Sequence, residues 1–331
     1  MKSILVLFII LIVLALFSLS LGQYNLTTTQ IVQFFLYKLG FAEVHNAQLM
    51  QNIIIEIRFP RVIASILIGA SLAISGVAFQ SMFRNPLVSP GILGVLSGAS
   101  FGAALGMIFF KEFILIQASS FIFGILSVFI ALFISMFNKQ NQLILLILGG
   151  VVSSAFFSSL LSITKYMADP YDELPAIVYW LMGSLALIDK QTIYVVTLPI
   201  LLGIFLMIFL SKYLNVLSLG DEEAKSLGIN VKLTRFVIIL IATFISAFTV
   251  VLAGMIGWVG LVIPHITRLL FGSNNIVIVP LSALIGAIYL LIIDNISRTL
   301  FSVEIPIGIL TSLIGIPFFA YALKNVKKGW G

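Results

Sequence analysis

Between Arg58 and Gly98 the chain reads RFPRVIASILIGASLAISGVAFQSMFRNPLVSPGILGVLSG. Two arginines bracket a proline. An apolar helix dotted with Gly, Ala and Ser follows, then an Asn-Pro-Leu break, then a second glycine-rich helix. In lipid, small residues let helices pack closely. A break in the backbone at membrane depth is tolerated only where protein buries it or where it lines a cavity. The segment therefore reads as the interior of a polytopic transporter rather than as a single anchor. Composition agrees: 61% of residues are hydrophobic and 9% charged, against about 25% charged in soluble domains. Lipid must be the main solvent.

At about 20 residues per span, the 331 residues leave room for about ten helices. Apolar runs bounded by charges or turn residues place them near 4–21, 60–80, 92–110, 113–137, 142–164, 192–211, 233–254, 256–270, 277–297 and 304–323. The expectation is one all-α transmembrane domain over 1–331. The run at 256–270 is short, as a half-helix or a tight re-entry would be. The first run lacks a small-x-small cleavage site and reads as a retained helix.

The net charge of +6 is scattered among the spans, which speaks for the positive-inside rule rather than for nucleic acid. With the N-terminus inside, eleven Lys/Arg fall on the cytoplasmic side, Lys139, Lys327 and Lys328 among them, and seven outside, including Lys111. Both termini are then cytoplasmic. There are no cysteines, which removes disulfides, thiolate metal sites and Cys nucleophiles. Gly76, Pro86 and Gly94 recur with the same spacing as Gly254, Pro264 and Gly272. That offset crosses five spans, as an inverted five-helix repeat would.

Residues 215–230, NVLSLGDEEAKSLGIN, form a polar interruption on the inner side. Asp221 is placed to cap a short helix with Glu222 and Glu223 in its favourable first turn, and Gly228 is placed to stop it. Leu219, Gly220, Asp221, Glu222, Glu223, Ala224, Leu227 and Gly228 make up a coupling segment. Its short apolar face of Leu219, Ala224 and Leu227, ringed by charge, suits a groove on a cytoplasmic motor protein.

The chain resembles the FecCD family of ABC importer permeases. The motifs that carry the resemblance are RFPR (58–61), GVAFQSMFRNPLVSPGILGVLSGAS (76–100), WLMGSLA (180–186), LGDEEAKSLGI (219–229), AGMIGWVGLVIPHITRLLFG (253–272), DNISR (294–298) and EIPIGILTSLIGIPFF (304–319). Trp258 stands where Phe is expected. The resemblance implies a bacterial or archaeal inner-membrane protein with ten helices per subunit. It implies a second copy of the chain, two ATPase subunits below and a substrate-binding protein outside. ATP and Mg are then held by the ATPase, with no cofactor, metal or nucleic acid on this chain. It makes Arg58, Arg61 and Arg298 sockets for carboxylates of the binding protein, a task that suits the planar guanidinium. An internal pair between Asp294 and Arg298 competes with that role. It also assigns Asn85, Pro86 and Leu87 to a cytoplasmic gate.

Segment 164–186 is expected outside, with a short helix starting near Asp172, Glu173 and Pro175. His265 and His45 read as packed or solvated residues rather than ligands, and Asp294 and Glu304 as structural. No P-loop, H-E-x-x-H or G-x-S-x-G pattern occurs, so the chain carries no recognisable hydrolytic chemistry. An ion-gradient-driven transporter remains the alternative of another class, but it needs carboxylates at mid-membrane, which the spans lack. The implied cargo is a ferric siderophore, haem or cobalamin, with molybdate or tungstate as the alternative.

Overall fold

The computed structural model describes residues 2–24, 26–41, 43, 46–110, 112–137 and 142–324. Lys111, Lys139, Lys327, Lys328 and His45, named above, lie outside the described residues. The fold is all-helical among the described residues. In chain order the helices are α1 (Lys2–Ser18), α2 (Thr28–Lys38), α3 (Ala47–Gln51), α4 (Phe59–Phe83), α5 (Val95–Phe109), α6 (Phe113–Ser135) and α7 (Gln142–Met167). They continue as α8 (Glu173–Leu181), α9 (Lys190–Leu219), α10 (Asp221–Ser226), α11 (Val231–Ala253), α12 (Val259–Phe271), α13 (Asn275–Thr299) and α14 (Ile307–Lys324). Six are long and apolar enough to cross a bilayer, and α1, α5, α12 and α14 are shorter apolar helices. These are the ten segments that hydropathy marks.

Helix α4 is the centre of the bundle, packed on α9, α11, α12 and α13. Small residues make this possible. A Cβ on Gly69 would lie 2.2 Å from the carbonyl oxygen of Gly286, and a Cβ on Gly286 would lie 2.3 Å from that of Gly69. The α4–α13 crossing is therefore backbone on backbone. Gly76 meets Gly260 of α12 in the same way. A second seam runs along α5, where Gly98, Gly102 and Gly106 fall every four residues against the backbone of α6. Hydroxyls bond across it. Ser119 Oγ donates to Gly102 O and Ser127 Oγ to Gly94 O, both at 2.7 Å. Close approach and interhelical hydrogen bonds replace the hydrophobic force that lipid cannot supply.

Three features depart from the expectations. The second span starts earlier than residue 60: α3, a π-helical stretch Asn52–Arg58 and α4 run on as one 37-residue helical segment. Helix α2 went unforeseen. It is fixed by a capping box between Thr27 and Gln30, and it buries only Ile31 and Phe34. The Gly/Pro repeat marks no structural equivalence. Gly76 lies inside α4 whereas Gly254 follows α11, Pro86 sits in a turn whereas Pro264 sits inside α12, and Gly94 opens α5 whereas Gly272 closes α12. Gly and Pro are frequent in this chain, and the same spacing serves different backbone needs in the two places.

The short eighth span is real. Helix α12 has 13 residues, or about 20 Å at 1.5 Å per residue, too short for a hydrocarbon core of about 30 Å. Irregular backbone over 254–258 precedes the helix. It is held inside protein: Ser184 N donates to Ala253 O at 2.9 Å, and Gly183, Gly254 and Gly308 meet neighbouring backbone. Trp258 adopts φ 67° there, a costly value for a bulky side chain, and packs on Phe319 and Gly315.

Candidate functional site

On the expected inner side, α10 links α9 to α11. Asp221 does not cap it: Gly220 occupies the cap position, with no side-chain cap bond. Asp221 instead accepts a forked pair of bonds from Arg235 of α11, at 2.7 Å from Nη2 and 3.3 Å from Nη1. An ion pair to a largely buried guanidinium outcompetes one exposed backbone N–H. The Arg235 hydrogen bond holds the Asp221 carboxyl below the usual range. Gly228 closes the helix as expected. At φ 79° it allows Ile229 N to reach Ala224 O at 3.1 Å, a turn that favours glycine. Ala224 faces inward and is buried, while Leu219, Leu227, Glu222 and Glu223 are exposed. Only two of the three apolar-face residues are thus available to a partner.

The Asn85-Pro86-Leu87 turn follows Arg84, whose side chain reaches this segment. Arg84 ends α4 in the left-handed region at φ 49°, and Asn85 N reaches back to Gln80 O at 3.1 Å. The Asn85 side chain accepts from Leu87 N at 2.9 Å and fixes the turn, leaving Leu87 exposed. The Arg84 guanidinium extends to α10, where a Cβ on Gly220 would sit 3.5 Å from its Nη1. The last turn of α4 is also tied to three other helices. Arg268 of α12 bonds Gln80 and, at 3.1 Å, Ser81 Oγ; Ser81 Oγ donates to Asn275 Oδ1 at 2.8 Å. Asn275 N in turn donates to Asn215 Oδ1 of α9 at 2.7 Å. Sequence reasoning passed over this polar lattice. Its signal was a set of amides and hydroxyls at the ends of four spans. His265 is buried against the Phe319 ring, and no cluster of metal-ligating residues occurs among the described residues.

On the expected outer side, the three arginines converge, but not as exposed sockets. Arg58, Arg61 and Arg298 are 4%, 5% and 3% exposed. Arg61 Nε donates to Asp294 Oδ1 at 2.7 Å, and its Nη1 donates to both oxygens of Glu304 at 2.9 and 2.8 Å. Arg298 lies 3.5 Å from the other oxygen of Asp294 and donates to Ser18 O at 2.9 Å and Leu21 O at 3.2 Å. Arg58 donates to Leu19 O at 2.7 Å, to Ser20 O at 3.0 Å and to Tyr24 O. Carbonyls at and beyond the end of α1 therefore receive two guanidiniums, where a helix terminus carries orphan acceptors and partial negative charge. The internal Asp294–Arg298 pair forms, and Asp294 and Glu304 take the structural part expected of them. An exposed-rim description of these arginines is corrected by their burial.

Helix α8 starts at Glu173 as expected, though Asp169 rather than Asp172 organises the turn, accepting from Tyr171 N at 2.8 Å and Asp172 N at 3.0 Å. The adjoining α7 carries another unforeseen feature. Ser158, Ser159 and Ser162 are exposed on a membrane-spanning helix. The four-residue spacing of Ser154, Ser158 and Ser162 was visible in the sequence but was overshadowed by the apolar average.

The sequence profile of the FecCD transport family matches residues 10–325. The chain is 39% identical to the molybdate import system permease protein MolB of Haemophilus influenzae, over 97% of this chain and 95% of that one. It is 40% identical to a Helicobacter pylori protein assigned as an iron chelatin transport system permease, over 86% of each. Against the cobalamin import system permease protein BtuC of Halobacterium salinarum it is 34% identical, over 83% of this chain and 74% of that one. A solved inward-facing structure of an ABC transporter assigned to the metal-chelate type superposes with a TM-score of 0.87 at 37% identity, covering 98% of this chain and 99% of that one. PsaBC from Streptococcus pneumoniae, at 18% identity and a TM-score of 0.57 over 88% of this chain and 95% of that one, shares the fold alone.

Proposed function

Because this chain belongs to the FecCD transport family, we propose that it is the translocation subunit of an importer in which two copies form the pathway. Two separate ATPase subunits bind ATP and Mg, and an extracytoplasmic binding protein delivers cargo. The observation that carries the coupling role is α10, whose buried side is locked by Arg235 and Ala224 while Leu219, Leu227, Glu222 and Glu223 face outward. Such a helix transmits force because its own position is fixed. The Arg84 side chain, next to the Asn85-Pro86-Leu87 turn, reaches toward Gly220 at the start of α10, which supports a path by which a push on α10 reaches the proposed gate within one chain. Both termini are assigned to the cytoplasm, and the membrane to the inner membrane of a prokaryote.

The exposed serines of α7 line the pathway in this reading, with their hydroxyls bonded to Ala155 O, Ser158 O and Ser97 Oγ. Neutral hydroxyls pass cargo without holding it, which leaves selection to the binding protein. The cargo is assigned as a metal chelate: ferric siderophore, haem or cobalamin. Identity of 39% to a molybdate permease over nearly the whole chain supports an oxyanion, molybdate or tungstate, as the second reading. Docking of the binding protein would engage Arg61 from the side of Glu304, the network's half-buried member. Ion-gradient coupling finds little support: the one carboxylate buried in the bundle among the described residues, Asp294, is held by Arg61 and Arg298.

The test is reconstitution in liposomes with the ATPase and the binding protein. ATP-dependent uptake of a ferric chelate, haem or cobalamin supports the first reading, and uptake of molybdate or tungstate alone supports the second. Concentrative uptake by this chain without the ATPase would refute primary transport.

A further inference from the structure

An apolar recess lies between α6, α9 and α11, apart from the features already described. Its volume is about 350 Å³, within the range of small-ligand sites. Phe121 and Phe129 of α6, Leu202 and Leu206 of α9, and Leu240 and Phe244 of α11 line it. Two residues of α9 make the room. Gly203 brings α9 so near α11 that a Cβ would lie 2.2 Å from Ile245 Cγ2, and Pro199 lies inside the continuous helix one turn earlier. Phe121, Phe244 and Phe248 close one wall as a cluster, with ring centres 4.7–5.8 Å apart.

Depth decides what can enter. Leu240–Phe244 lie 9–13 residues beyond the start of α11 at Val231, about 14–20 Å at 1.5 Å per residue. The hydrocarbon core is about 30 Å thick, so the recess opens near its middle, where lipid offers only chain methylenes. The chain's outer faces also differ. Helix α7 mixes exposed serines with exposed Val152, Phe156 and Ile163, a face that suits a second permease copy as well as lipid. The mouth of this recess is flanked by exposed Leu198 and Phe205 of α9 and Phe133 of α6, a face that suits lipid. We propose that the recess is a binding site for one phospholipid acyl chain, set between the two helices that α10 joins.

Wild-type protein in nanodiscs doped with a phospholipid bearing a diazirine near its chain terminus tests this directly. Photolysis and peptide mapping should place the adducts on 121–132, 199–206 and 240–244, severalfold denser than on exposed Leu5 and Val13 of α1. Filling the recess with Leu202→Trp and Leu240→Trp should remove that enrichment, whereas Val13→Trp on α1 should leave it. Labelling spread evenly over the apolar surface, or enrichment that survives filling, overturns the proposal. So does a second permease copy cross-linking at the recess in place of lipid. If the filled variant does not fold, the wild-type map decides alone.

Discussion

Replacing Asp294 by Ala should be among the most damaging single changes at the outer end of the bundle. Its carboxylate is 0% exposed and sits 2.7 Å from Arg61 Nε and 3.5 Å from Arg298 Nε. Removing it leaves two guanidiniums in the interior with less than their share of negative charge. Arg61 Nη2 already lacks a partner. Breaking a buried pair from one side costs about 3–5 kcal/mol. Glu304 bonds the same arginine through both its oxygens, but its side chain is 30% exposed. Glu304→Gln keeps an acceptor and leaves a site that water can reach, so its cost should stay near 1 kcal/mol, the upper range for exposed pairs. The double change Asp294→Ala with Arg61→Met removes both charges and should cost less than the sum of the single changes, because residues in contact are not additive. The assay is reversible unfolding in mixed micelles by titration with a denaturing detergent. The reasoning fails if Glu304→Gln costs as much as Asp294→Ala, or if the two charge removals simply add. The same burial predicts that Arg58→Glu with Arg61→Glu disrupts folding before it reports on docking.

Gly286→Ala puts a Cβ 2.3 Å from Gly69 O, so α4 and α13 must separate; a loss of about 1–3 kcal/mol in the same titration is expected, and a neutral result would contradict the crossing. Changing Glu222 and Glu223 to Arg, both in water, should leave membrane insertion intact but reduce ATPase co-purification; unchanged assembly and transport would remove the coupling role. Because Arg235 lowers the Asp221 pKa, the pair stabilises the folded state above the ordinary carboxylate pKa of about 3.9. That contribution is lost as pH falls through the lowered folded value. Hydrogen exchange of 220–229 should stay slow at neutral and mildly acid pH and rise only below that range. Asp221→Asn should raise exchange at every pH, by an amount worth less than about 1 kcal/mol for so exposed a carboxylate.

The sequence by itself determined the ten apolar helices, the short α12, the stop at Gly228 and the lack of a nucleotide motif. Each of these is a local property: hydropathy over about 20 residues, a glycine where φ must be positive, a pattern of consecutive letters. It also showed that Gly and Ser would set the helix spacing, but not which helices would meet. Tertiary structure decided that Gly69 faces Gly286, and that crossing carries Arg61 to Asp294, 233 residues away. It turned Asp221 from a cap into a partner of Arg235, gave the matched Gly and Pro positions different backbone roles, and left three serines of α7 exposed and the three arginines buried. A helix has every side to offer, and its periodicity does not say which side is buried when lipid and protein interior are equally apolar. Only the close approach of particular backbones selects the face, and with it the charge that must be paired and the charge left free to bind.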